Sequence, residues 1–297
     1  MSLEDLAFGK DLLFYVLKFA GQSASTTDDY ADQAKAAIRS NYWELLCLEK
    51  WPFAMASSPG VITTVAKSAV TVSSISGSTI TLSATIAASM AGRKFYVDSN
   101  QAVYRISAHT AGTGTLTLDA TYVETETSGA GTIYQDEYAL NSNCMKVWSP
   151  ISLRGQFEGG IDIISPDLFK AKYGVGQTSA IGVTDAATII RNNSSGNMQI
   201  QIAPWSEDRI NIEYDYTEFA DLDFSGAGSA DTPKLRKEDR WVVAEFALFT
   251  VFRNKDDTLA DSAYIRAHRK LEEMKGRLIP YGKPQMWARS GNSLSIR

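Results

Sequence analysis

The segment WVVAEFALFTVF, Trp241–Phe252, decides the fold, because it is apolar on nearly every side and has one charged residue, Glu245. A helix of this kind must be buried on most of its surface, so we predict a core helix here. Its length is too short to cross a bilayer, which takes about 20 residues. The polar run Asn254–Asp257 ends it, and a second helix is predicted from Thr258 to about Lys275.

The N-terminal region supplies partners for this C-terminal helix pair. The apolar residues of a first predicted helix recur at helical spacing, namely Leu6, Leu13, Val16, Leu17 and Ala20, and Gly21 follows at a C-cap position. A second helix is predicted from about Asp28 to Lys50. Trp51-Pro52-Phe53 ends it, because a residue before proline is pushed out of the helical region. We expect the front and back pairs to pack as one discontinuous helical bundle.

Residues 61–136, between these helix pairs, have a different composition. Ser, Thr and Gly supply more than a third of them. Apolar residues recur there at period two, in the pairs Val70/Val72, Ile80/Leu82, Tyr104/Ile106 and Leu116/Leu118. Short strands at this spacing predict a small β-barrel or sandwich. A low-complexity linker is the alternative, but linkers do not place apolar residues at period two.

A three-strand meander is predicted after this insert, over Thr188–Arg191, Asn197–Ile202 and Arg209–Tyr216. The predicted fold class is therefore α+β: a discontinuous helical bundle with a β meander and an inserted small β-barrel or sandwich module. The expected domains are a core of residues 1–58 plus 137–284, an inserted module of residues 59–136, and an extended C-terminal tail of residues 285–297.

The charge and cysteine content disfavour several classes of protein. The 297 residues carry 29 Lys and Arg against 34 Asp and Glu, a formal net charge of −5, whereas a nucleic-acid groove needs a basic excess. Cys47 and Cys144 are far apart, so neither a zinc module nor a disulfide framework is indicated, and folding in a cytoplasm fits best. Acidic Glu4 and Asp5 stand where a signal peptide is basic, and we expect no export signal or membrane anchor.

The search for catalytic chemistry gives no candidate. The two histidines, His109 and His268, each lack a second metal ligand at a suitable spacing, and no Gly-x-Ser-x-Gly nucleophile turn is present. No phosphate-binding glycine loop is complete. We therefore predict no catalytic residue, no cofactor and no metal.

Two pairs of carboxylates are still worth locating. Glu213 and Asp215 share one face of a predicted strand, where a solvated surface is the favoured interpretation. Asp221 and Asp223 lie in a Gly/Ser-rich loop that lacks the later glutamate of a calcium-binding EF-hand, so an ordinary acidic loop is favoured there.

The order of these features resembles the head–tail adaptor (connector, neck or tail-tube adaptor) proteins of tailed bacteriophages. The likeness rests on the helical hairpin closed by Trp51-Pro52-Phe53, the β insert, and the return through Tyr138-Ala139-Leu140. It continues through residues 200–204 (IQIAP), residues 210–214 (INIEY) and an acidic loop that leads through Asp231-Thr232-Pro233 into the last helix pair. These are diffuse patterns over most of the chain.

The resemblance implies a virion protein without enzymatic activity, located at the neck or tail and assembled in the host cytoplasm. About twelve copies would form a ring beneath the portal protein, bind the next tail, nozzle or tail-tube protein, and let genomic DNA pass without specific binding and without a membrane contact. The tail would reach into the portal through Trp287, Arg289, Leu294 and Arg297. The alternative is that these residues form only a frayed terminus. Glu213, Asp215, Asp221 and Asp223 are the candidate acidic residues of the lumen.

The sequence is also compatible with two other functions. A receptor-binding or capsid-decoration protein would use the β insert as an adhesive module. A glycan hydrolase would need two carboxyl groups about 5–10 Å apart in a cleft.

Overall fold

The protein is described by a computed structural model. The residues that it describes are 6–22, 29–58, 60–63, 67–98, 102–125, 128–154, 160–174, 182–190, 196–206, 209–225, 232–253 and 257–279. Both helices and strands are present, so the fold class is α+β as predicted.

Five α-helices lie in the described part of the chain: α1 (Gly9–Phe19), α2 (Asp29–Leu48), α3 (Pro166–Tyr173), α4 (Arg240–Phe252) and α5 (Asp257–Leu278). The strands are β1 (Met55–Ser57), β2 (Val61–Ile62), β3 (Lys67–Ser76), β4 (Thr79–Ile86), β5 (Lys94–Val97), β6 (Tyr104–His109), β7 (Thr113–Leu118), β8 (Gly129–Tyr134), β9 (Glu137–Ala139), β10 (Cys144–Arg154), β11 (Gly160–Ile161), β12 (Ala186–Ile190), β13 (Gln199–Ala203) and β14 (Asn211–Glu218).

The chain divides into two compact units, Met1–Ala56 with Thr217–Arg297 and Ser57–Tyr216. The predicted core of residues 1–58 plus 137–284 is divided differently here, because residues 57–58 and 137–216 fall with the barrel and not with the helices. The packing within Ser57–Tyr216 gives the reason. Trp205, which follows β13, is buried and stacks on Tyr134 at the end of β8, with 4.9 Å between ring centroids.

In the first unit, helices α1, α2, α4 and α5 contribute to one hydrophobic core. The predicted core helix is α4, and its buried face includes Val243, Ala244 and Leu248, none of which is exposed. Its single carboxylate, Glu245, is buried too, and it accepts hydrogen bonds from the Tyr15 hydroxyl (3.2 Å) and from Arg266 Nε (3.0 Å). Burial of a charge is tolerated here because both partners satisfy it.

The Trp-Pro-Phe step closes α2 through a specific contact. Trp51 is fully buried, and its indole Nε1–H donates to the carbonyl oxygen of Leu45 at 2.6 Å. The last carbonyls of a helix have no partner inside the helix, so this bond satisfies one of them. At the end of α1, Gly21 has φ of +71°, which agrees with its predicted role after the helix.

The insert forms a closed barrel of six strands in the order β3-β4-β7-β6-β5-β8. The period-two residues predicted from the sequence line its core, including Val72, Ile80, Ile106 and Leu116, which are nearly or fully buried. Strands β4 and β7 carry no charged residue, and closure of the sheet leaves them no free edge that charged side chains would have to protect.

The predicted meander is wrong in its third strand. Strands β12 and β13 pair antiparallel, with Thr188 opposite Gln201, and β9 pairs on the other side of β13. The third predicted strand is β14, which lies in a different sheet of order β1-β14-β10-β11, with β2 also paired to β14. Pro204 has no backbone N–H to continue the ladder, and the chain turns at this point to bury Trp205.

Further differences concern elements and boundaries. Helix α3 and strand β10 are among the elements that were not predicted, and α5 continues through Gly276 to Leu278. Within the described residues, no helix is both long and apolar enough to cross a bilayer.

Candidate functional site

The first predicted acidic pair lies on β14 and is partly neutralised. The Glu213 side chain is half-buried, accepts a hydrogen bond from Asn211 Nδ2 (3.0 Å) and lies 3.5 Å from Arg154 Nη1. Asp215 is exposed and accepts a hydrogen bond from Ser57 Oγ at 2.7 Å. The other face of the strand carries buried Ile212, Tyr214 and Tyr216, as the alternation predicts. Thr217 falls on the face of Glu213 and Asp215 by the same alternation, yet it is buried.

The second acidic pair and Arg39 both belong to the unit of Met1–Ala56 with Thr217–Arg297, and Asp221 lies close to this arginine. Arg39 Nε donates to the carbonyl oxygen of Leu222 at 3.1 Å and lies 3.9 Å from Asp221 Oδ1. The exposed carboxylate of Asp223 accepts from the Phe224 N–H, and a hydrogen bond from the Ser225 side chain is the main cause that lowers the Asp223 pKa. A metal site would need more ligands, and no group of three or more His, Cys, Asp or Glu side chains suited to a metal occurs in the described ranges.

The two acidic pairs therefore belong to different compact units, and their common placement on a lumen stays a prediction. The predicted docking residues of the tail, Trp287, Arg289, Leu294 and Arg297, lie outside the described residues.

The two histidines make contacts of the kind that stabilise a fold. His109 Nδ1 accepts a hydrogen bond from the Met90 N–H (3.1 Å) at the end of β6. His268 lies edge-on to Tyr264 and Phe246, with ring centroids 4.2 and 5.3 Å away. Neither histidine belongs to a group of potential metal ligands among the described side chains.

A buried charge network in the barrel unit was missed by the sequence reasoning. Lys94 of β5 lies 2.7 Å from Asp136 Oδ2 and 3.3 Å from Glu137 Oε1. Arg105 of β6 lies 3.4 Å from Glu137 Oε2, and Gln201 of β13 donates to Asp136 Oδ2 at 2.8 Å. These five residues come from four separate segments, and only the register of the strands brings them together.

Burial has the largest effect on the pKa of Asp136 in this network. It raises the pKa of the Asp136 carboxyl, and the Lys94 ammonium and the Gln201 amide oppose that rise. The second oxygen of Asp136, Oδ1, is buried without a hydrogen-bond partner in the described part of the chain. An incompletely satisfied carboxylate of this kind makes the network sensitive to the loss of either partner.

The network borders a cleft of about 560 Å³. Its charged lining is Lys94, Arg105, Asp119, Glu137 and Lys170. Its apolar wall comes from Val103, Tyr104, Phe169, Ile189 and Ile190. Cations and carboxylates are interleaved there, so no single sign of charge is presented to a ligand.

What the structure brings together is thus two acidic surface pairs and one mixed-charge cleft. Asp119 and Glu137 are the carboxylates that line the cleft, and neither a histidine nor a cysteine is among its described lining residues. No protein-family model matches the chain, and no curated protein matches it either.

Proposed function

We propose that this chain is a structural head-to-tail adaptor of a tailed-bacteriophage virion. Copies of it, about twelve, form a ring beneath the portal protein, join the capsid to the tail or nozzle protein, and let DNA pass. The chain performs no reaction in this role and needs no cofactor. The front and back helices act as a bundle that forms the wall of the ring.

One observation carries the proposal. Residues from both ends of the described chain, such as Leu13 and Ile38 on one side and Val243 and Met274 on the other, share one hydrophobic core. The barrel, in contrast, is built from the single continuous segment 67–134. The two ends of the chain thus form a scaffold, and a separate module is inserted between them. Such an arrangement suits a component whose role is to bind other proteins through its surfaces.

Electron microscopy of the full chain mixed with its portal protein tests this role. We expect rings of closed symmetry attached to the portal, because a head-to-tail interface that closes gives a ring. The protein alone is a suitable control, since a template-dependent ring forms only with the portal present. Absence of any complex at concentrations well above those used for portal assembly would contradict the proposal.

The assembled ring is also expected not to retain duplex DNA at moderate salt. The net charge is −5, and carboxylates repel phosphates within a Debye length of about 8–10 Å. A filter-binding assay measures this. Neutralising the four candidate lumen residues as Glu213→Gln, Asp215→Asn, Asp221→Asn and Asp223→Asn should raise retention severalfold.

The matched control for that variant neutralises four exposed carboxylates elsewhere, namely Asp32, Asp167, Glu238 and Asp261. An equal rise in retention in both variants would mean that net charge matters and that the four predicted residues have no special position. Tight, salt-sensitive retention by the unmodified ring would contradict a DNA conduit.

A capsid-decoration or receptor-binding protein is the second candidate, and one observation favours it. No charged residue occurs from Ser68 to Gly92, and the strands of this segment present exposed hydroxyl side chains such as Thr79, Thr81 and Ser83. A neutral hydroxyl surface on a closed barrel suits an adhesive module. Mass measurement separates the two, because adhesive proteins of virions usually trimerise and adaptors form larger rings.

A further inference from the structure

An apolar groove of about 320 Å³ lies in the helical unit, between α2, α4 and α5. Leu45 and Leu271 form its buried floor, and Phe246 is half-buried beside them. Leu48, near the end of α2, lines the groove although 46% of its surface is exposed. An exposed leucine over a buried apolar floor leaves surface that a further side chain can cover.

The rim of this groove is acidic. Glu44 of α2 and Glu272 of α5 are exposed lining residues. The one lining lysine, Lys275, is shared between Glu272 (3.3 Å) and Glu49 (3.7 Å). Two lining carboxylates, with Glu49 next to them, outnumber the one lining lysine and favour an occupant that is cationic and carries an apolar side chain.

The C-terminal segment, residues 280–297, is cationic, contains large apolar side chains and begins next to the groove. It contains Lys283, Arg289 and Arg297 and no acidic side chain, with Met286 and Trp287 as large apolar residues. It follows directly on Ile279, and Lys275 already lines the groove.

The length of this segment is sufficient for it to turn back along α5. Eight residues from Pro280 to Trp287 span up to about 26 Å, whereas the groove from His268 to Lys275 extends about 10 Å along the helix axis. Pro280, Gly282 and Pro284 are residues that favour a reversal of the chain.

We propose that residues 280–297 dock into the groove of their own chain, with Trp287 packed against Leu48 and Arg289 close to Glu44 and Glu272. The groove is then an internal docking site for the C-terminal segment. This inference does not depend on the adaptor role. If that role holds as well, a portal must displace the segment before it can bind Trp287.

Limited trypsin digestion of the full chain tests the docking, because cleavage after Arg289 tracks the undocked population when docking exchanges rapidly. We expect cleavage there to be about tenfold faster in Leu48→Glu and in Trp287→Ala than in the unmodified chain. Leu259→Glu is the matched control, since Leu259 is a helical leucine with nearly the same exposure, 47%, outside the groove lining. It should leave the rate unchanged.

A second measurement covers the case in which Leu48→Glu does not fold. Incorporation of 5-fluorotryptophan and assignment with Trp287→Phe give the ¹⁹F signal of Trp287 in the otherwise unmodified chain. A docked indole should show a reduced solvent isotope shift between H₂O and D₂O.

Three results would overturn the proposal. The first is equal cleavage after Arg289 in the unmodified chain and in a folded Leu48→Glu variant. The second is a fully solvent-exposed ¹⁹F signal for Trp287. The third is protection that disappears on about a hundredfold dilution, because the occupant would then be the segment of a second copy.

Discussion

Replacing Arg240 with Met is expected to lower the free energy of unfolding by about 3–5 kcal/mol, which is the usual cost of breaking a buried charged network. Arg240 is the first residue of α4 and only 5% exposed. Urea unfolding followed by the helical circular-dichroism signal gives the change, provided that the slope with denaturant is the same in both proteins.

The reason is the number of backbone groups that this one side chain satisfies. Its guanidinium donates to the carbonyl oxygens of Leu6 (2.7 Å), Ala7 (2.5 Å), Pro233 (3.2 Å) and Leu235 (3.1 Å). Two of these oxygens precede α1 and two precede α4, so the side chain joins the start of the described chain to the segment before α4. Methionine fills a similar volume but leaves all four acceptors without this donor.

Arg240→Lys and Arg269→Met provide the controls. Lysine keeps the charge but lacks the planar fork of donors, so it should recover only part of the loss. Arg269 pairs with Glu273 at the surface with 81% of its side chain exposed, and its replacement should cost less than about 1 kcal/mol. A loss at Arg240→Met no larger than that at Arg269→Met would show that the buried hydrogen bonds contribute little net stability.

The sequence allowed the helices and the barrel to be predicted because their signals are periodic and local. Val72, Ile80, Leu82 and Leu116 alternate with hydroxyl residues, and all four face the barrel core. Strand β10 carries no such signal, since its middle residues are half-exposed and Pro150 interrupts it.

Helix α3 did have a local signal that could have been used. Ser165 caps it by accepting a hydrogen bond from the Leu168 N–H at 3.3 Å, and Pro166 occupies the first turn. Serine followed by proline before a short amphipathic segment is a recognised start of a helix.

The candidate sites were harder to predict because they depend on register between distant strands. Glu213 and Asp215 were recognisable as a pair, since they are two residues apart on one strand. Arg154, which neutralises Glu213 in part, is far away in sequence. Lys94 and Asp136 are likewise 42 residues apart, and nothing in their local sequence distinguishes them from surface charges.

Replacing Lys94 with Met is expected to cost about 3–5 kcal/mol near neutral pH, because it leaves two carboxylates without their shared cation in a buried site. The side chains of Lys94, Asp136 and Glu137 are only 15%, 10% and 13% exposed. The cost should depend on pH in a defined direction. Burial already raises the Asp136 pKa, and removal of the ammonium that opposes this rise must raise it further.

A carboxyl whose pKa is higher in the folded than in the unfolded protein holds its proton longer when folded, so stability falls as pH rises between the two values. That window extends to higher pH in Lys94→Met than in the unmodified protein. The two proteins should therefore be closest in stability at acid pH, where Asp136 is protonated in both, and diverge as pH rises through the folded pKa values.

Urea unfolding over a pH series measures this divergence. Lys94→Arg should stay close to the unmodified protein, because it keeps the cation. Lys172→Met removes an exposed partner of Asp185 and should show only a small cost across the pH series. A Lys94→Met cost that does not change with pH would mean that Asp136 keeps its charge without the lysine. The site would then be open enough to water for the carboxylate to be solvated, contrary to the burial from which the raised pKa follows.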